Sequence, residues 1–126
     1  MPATVAIVVS DLMFQSRIDA TARARGHTTL IADTPARANN AMQASPALVI
    51  VDLHERAVDP TAIIRDAKAA GARVLAIGRH TEPHTLRAAR DAGADTVVPR
   101  SQLVEELPQL IASLIGAQEQ TTTAGD

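Results

Sequence analysis

Along the 126-residue chain, short apolar runs rich in β-branched residues alternate with longer stretches in which apolar positions recur at helical spacing. Val5 to Val9 is almost wholly apolar, which predicts a strand covered on both faces. Leu12 to Arg25 follows, with Phe14, Ile18 and Ala22 on one helical stripe and Gly26 as its stop. Thr28 to Ala32 reads as a second strand, and Pro35 to Ala44 as a weakly apolar second helix. Ala47 to Val51 is the third strand. Pro60 opens a helix carrying Ala62, Ile63, Ile64 and Ala67 and ended by Gly71. Arg73 to Ile77 is the fourth strand. Thr81 stands as N-cap to a helix from Glu82 to Ala92, with Pro83 in its first turn and Gly93 after it. Thr96 to Val98 is a short fifth strand, and Leu103, Leu107, Leu110, Ile111 and Leu114 give the last helix its apolar face, with Pro108 expected to kink or delay it.

Strands alternating with helices imply an α/β fold with a parallel sheet wound by helices. The length suits one domain, expected over residues 1–115, and residues 116–126 read as a polar, disordered tail without apolar periodicity. Composition removes several functions. There is no cysteine, hence no disulfide framework, thiolate zinc site or thiol nucleophile. A formal charge of −2 and one aromatic, Phe14, supply neither a basic field nor a stacking platform, so no direct nucleic-acid binding is expected. No apolar run approaches the roughly 20 residues of a membrane span, and no leader pattern is present, so a cytoplasmic protein is expected.

The candidate chemistry lies at strand ends. Asp11 and Asp52 each follow an apolar run, and if those runs are neighbouring parallel strands, the carboxylates meet at the carboxyl edge of the sheet, where open α/β folds bind ligands. From its position alone, Asp52 reads either as a metal ligand or as a solvated acid capping the next loop. Asp11 reads either as a cation ligand or as an N-cap favoured by the helix dipole. His54, His80 and His84 also follow strands, and are either transition-metal ligands with Asp52 or exposed loop and helix-start residues. Met13 and Phe14 offer a partner contact, or a core position for one of them. No nucleophile–base pair or cofactor fingerprint supports an enzyme.

With these units in place, residues 4–115 resemble the receiver domain of two-component response regulators (CheY-like). Val8-Val9-Ser10-Asp11 stands where that family has an acidic pair, Pro46 to Leu53 resembles the segment ending in the phosphoacceptor aspartate, Val74 to Gly78 its fourth strand, and Val97-Val98-Pro99-Arg100-Ser101 the strand that ends in Lys-Pro. The resemblance implies a flavodoxin-like, doubly wound, five-stranded parallel sheet of order 2-1-3-4-5 with five helices. It also implies Asp52 as phosphoacceptor, and Mg²⁺ held by Asp11, Asp52 and the His54 backbone carbonyl.

Four departures bear on that chemistry. Ser10 replaces an acid, which weakens a site for a hard cation. Gly78 stands in place of the family's Thr or Ser, and Val97 in place of its reporter aromatic. Arg100 replaces the lysine with a planar fork that pairs with carboxylates, so Ser10, Gly78 and Arg100 are altered switch or anion-contact positions. The expectation is a pseudo-receiver: a stand-alone, non-enzymatic signal-transduction module that requires no cofactor. It would act through a protein partner or a homodimer mate on the surface from Thr81 to Ile115, where Leu103, Val104 and Leu107 are the apolar residues of interest. The alternative is an atypical response regulator still phosphorylated on Asp52 with Mg²⁺ by a histidine kinase, as in a phosphorelay.

Overall fold

The computed structural model describes residues 3–79 and 81–124, those from 117 onward by backbone alone. Five strands and five helices alternate: β1 (Thr4–Val8), α1 (Leu12–Ala24), β2 (Thr28–Ile31), α2 (Pro35–Gln43), β3 (Leu48–Asp52), α3 (Pro60–Ala69), β4 (Arg73–Ile77), α4 (Pro83–Ala92), β5 (Thr96–Val98) and α5 (Arg100–Ala124). All strand pairs are parallel, and the sheet order is β2-β1-β3-β4-β5.

The period of two along each strand sorts the core into two layers. Val5, Ile7, Leu48, Ile50, Leu75 and Ile77 face one side, against Phe14 and Ile18 of α1 and Leu103, Leu107 and Ile111 of α5. Ala6, Val8, Val49, Val51, Val74 and Ala76 face the other, against Ala38 and Ala41 of α2, Ile63, Ile64 and Ala67 of α3, and Ala89 of α4. With helices on both faces, the central strands are apolar without alternation.

Several expectations are corrected in detail. Leu103 and Leu107 are fully buried in the core, which leaves Val104 alone of that trio at the surface. Thr81 does not cap α4: Glu82 is the N-cap and makes no side-chain capping bond. Pro108 lies inside α5, which begins at Arg100, so it does not delay the helix. The backbone of α5 continues beyond Gly116 to Ala124, and the side chains of the expected polar tail lie outside the described residues. Among the described residues no helix is long and apolar enough to cross a membrane.

Candidate functional site

Asp52 closes β3, in step at period two with Leu48 and Ile50, and so falls on the side of the sheet covered by α1 and α5. β1 pairs beside β3 up to Val8 and Val51, which brings the β1–α1 loop alongside Asp52. In that loop Asp11 is the N-cap of α1 and accepts from the Phe14 N–H at 3.1 Å. On the other flank β5 delivers Arg100, the first residue of α5.

These three side chains meet. The Arg100 guanidinium donates through Nη2 to Asp52 Oδ2 at 2.8 Å and through Nη1 to Asp11 Oδ2 at 3.4 Å. The guanidinium rests over the Phe14 ring, 4.7 Å from its centroid, a cation–π contact with a ring that is itself in the core. Asp52 is 5 % exposed, and its second oxygen, Oδ1, accepts the His54 N–H at 2.9 Å. The reading of Asp52 as a solvated acid is therefore corrected as to solvent, while its capping of the following loop is observed. The Phe14 N–H first, and then the Arg100 charge, hold the Asp11 carboxyl below the usual aspartate range.

Two further carboxylates organise the loops around this triad, and neither is marked by a sequence pattern. Glu55 reaches back across the edge to Ser10: Ser10 N–H donates to Oε2 at 2.8 Å and Ser10 Oγ to Oε1 at 2.7 Å. The Arg56 and Ala57 N–H groups also donate to Oε1, each at 3.1 Å. Glu82 faces the His54 ring, with Nε2 at 2.9 Å from its Oε1, and Arg79 lies 3.8 Å from that same oxygen. The hydrogen bond from His54 is the main cause holding the Glu82 carboxyl below its usual range. His54 is thus half-buried and partnered rather than an exposed loop residue.

Gly78 lies buried on the β4 side of the same edge, and a Cβ there would meet Leu86 Cδ2 at 2.6 Å and Leu53 Cδ1 at 3.0 Å. Asp52, Gly78, Arg79, Arg100 and Ser101 line a cleft of ≈ 390 Å³. Met13 is 87 % exposed beside the site, while Phe14 is core. His84 is exposed at the start of α4, and His80 lies outside the described residues. Among the described residues no group of three or more His, Cys, Asp or Glu side chains is disposed to hold a metal.

No family model matches the chain, and no curated protein matches it. Solved structures do. NtrX from Brucella abortus superposes with a TM-score of 0.87 at 19 % identity, covering 100 % of this chain and 29 % of that one. A response regulator receiver domain protein (CheY-like) from Methanospirillum hungatei JF-1 gives a TM-score of 0.80 at 16 % identity, covering 96 % of this chain and 99 % of that one. The receiver domain of TorR, the TMAO respiratory system response regulator, gives 0.82 at 18 % identity, covering 92 % and 98 %. The chain spans less than a third of NtrX and nearly the whole of the two single-domain structures. It therefore has the flavodoxin-like fold of CheY-like receiver domains, in the expected strand order.

Receiver domains typically take Mg²⁺ for phosphorylation. A hard dication requires several oxygen ligands with free lone pairs, preferably carboxylates. Here Ser10 offers a hydroxyl that is committed to Glu55, and Asp11 and Asp52 both turn their Oδ2 atoms to one guanidinium. With Arg100 in place this donor set does not fit the ion.

Proposed function

We propose that the chain is a receiver-like signal-transduction module whose aspartate site is closed and which works through protein contacts, not as an enzyme. One observation carries this reading: buried Asp52 has both oxygens engaged, Oδ2 by Arg100 at 2.8 Å and Oδ1 by the His54 N–H at 2.9 Å. A carboxylate acting as phosphoacceptor must present an oxygen lone pair in line with the incoming phosphorus, and a charge-assisted hydrogen bond opposes this. The substitutions at Ser10 and Gly78 support the same reading, since each removes a group that would hold a cation or a phosphoryl oxygen. Output passes to a protein partner or a second copy through the surface built from α4, β5 and α5, residues Thr81 to Ile115.

The test is incubation with acetyl phosphate or beryllofluoride and Mg²⁺, followed by intact mass and amide chemical shifts around Asp52, with Asp52→Asn as control. The expected result is no Asp52-dependent change. A stoichiometric adduct lost in Asp52→Asn would overturn the proposal in favour of an atypical, kinase-driven response regulator.

A further inference from the structure

Resting on that reading of a closed site, the geometry points to Arg100 as the resident cation of the acidic pocket, held between Asp11 and Asp52 in place of a divalent ion. The two acids engage different nitrogens of one planar fork, Asp52 at Nη2 and Asp11 at Nη1. A lysine ammonium is a point charge without that span. The Arg100 side chain is half-exposed, and what seats its guanidinium besides the two acids is the Phe14 ring beneath it, which also anchors α1 in the core.

The facing loops agree with this charge count. Ser10 supplies two donors to Glu55, and an acid at position 10 would instead set carboxylate against carboxylate. Glu55 Oε1 already accepts from three donors, the Ser10 hydroxyl and the Arg56 and Ala57 N–H groups. Glu55 lines the same pocket as Asp11, Asp52 and Arg100, but its oxygens are taken by Ser10 and by its own loop, so two carboxylates contact the one guanidinium. A dication entering it must expel Arg100 or sit beside a like charge.

Removing the guanidinium should convert this edge into a divalent-cation site. Titration of the full chain with Mg²⁺ and Mn²⁺ by calorimetry, together with Mn²⁺ paramagnetic broadening of amide resonances, reads the change. Arg100→Ala is expected to bind Mn²⁺ at least about tenfold more tightly than the wild type, with broadening confined to the neighbourhood of Asp11 and Asp52. Adding Asp52→Asn to that variant is expected to abolish the gain. Arg100→Lys keeps the charge but reaches only one acid, and should fall between the two; it carries the test if the alanine variant does not fold. Equal affinity in wild type and Arg100→Lys, or a gain that survives Asp52→Asn, would overturn the inference. Failure here is distinct from failure of the closed-site reading: a wild type that binds Mg²⁺ tightly yet forms no Asp52 adduct refutes only the resident cation.

Discussion

Restoring a hydroxyl at position 78 by Gly78→Thr tests whether the switch position is vacant or filled. Any Cβ at residue 78 lies 2.6 Å from Leu86 Cδ2 and 3.0 Å from Leu53 Cδ1, closer than packed carbons approach. Overpacking of this kind costs typically about 1–3 kcal/mol. Leu53 and Leu86 are both only half-buried and meet the new atom with the tips of their side chains, so rotation relieves part of the clash. We therefore expect Gly78→Thr to cost about 1–2 kcal/mol, the lower part of the overpacking range. For a domain of this size that corresponds to roughly 3–6 °C in Tm per kcal/mol. Urea titration followed by far-ultraviolet circular dichroism is the suitable assay, because the chain has no Trp or Tyr to report by fluorescence. Leu86→Ala supplies the second corner of a cycle. Alone it removes packing, but combined with Gly78→Thr it also removes the clash, so the double variant should be more stable than the sum of the singles by about 1 kcal/mol. A neutral Gly78→Thr, or strict additivity with Leu86→Ala, would refute the claim that leucines occupy the space of the missing hydroxyl.

Two further predictions concern the opposite ends of the sheet. At the amino-terminal edge, Asp95 accepts from Lys68 Nζ at 2.9 Å, from the Val74 N–H at 2.7 Å and from Arg73 at 3.3 Å. Burial pushes its carboxyl up, but these donors outweigh it and the net shift is downward. A depressed folded-state value means the contribution is full above the ordinary aspartate range and is lost as pH falls through the folded-state value. Asp95→Asn should therefore lower stability at neutral pH and flatten the acid limb below about pH 4, where unfolded aspartate begins to titrate. Parallel wild-type and variant curves across that limb would contradict the assignment. At the carboxyl edge, Glu55→Ala removes the acceptor of the Ser10, Arg56 and Ala57 N–H groups. Hydrogen exchange at Ser10 should accelerate at least about tenfold while amides of β1 and β3 stay protected, the signature of local opening; unchanged exchange at Ser10 would show the clamp to be idle.

Most of the architecture is readable from residues because the sheet is covered on both faces, and strands so placed must be apolar throughout. The fourth and fifth strands match the expected bounds, while β1 ends at Val8 although Val9 is fully buried, since burial continues one residue past the hydrogen-bonded ladder. The start of α4 differs from expectation for a chemical reason: Thr81 is the better capping residue type, but Glu82 takes the N-cap position, and its carboxylate answers His54 instead of the helix. Leu103 and Leu107 read as an interaction surface only because an apolar stripe on a helix does not say which of its members turn inward, and on α5 both do.

The convergence of Asp11, Asp52 and Arg100 follows from strand order, since all three residues leave parallel strands at the same edge. Glu55 is different. Its partner lies 45 residues away, and half of its bonds are to N–H groups of its own loop that no side-chain pattern announces. The one available signal is that Ser10 lacks an acid while an acid stands three positions beyond Asp52.

That exchange of positions has a consequence for restoring the site. Ser10→Asp would set a carboxylate against Glu55, Arg100→Lys would free one acid but leave Ser10 and Glu55 bonded, and Gly78→Thr would collide with Leu53 and Leu86. Each reversal alone removes one closed contact and leaves or strains another, because the three positions are held by different neighbours: a carboxylate, a pair of carboxylates and two leucines. The proposed closed state thus rests on several local contacts around one edge, and because these positions line shared pockets their effects are expected to couple. A single reversion is expected to change stability or metal affinity at its own corner without returning phosphoacceptor chemistry to Asp52.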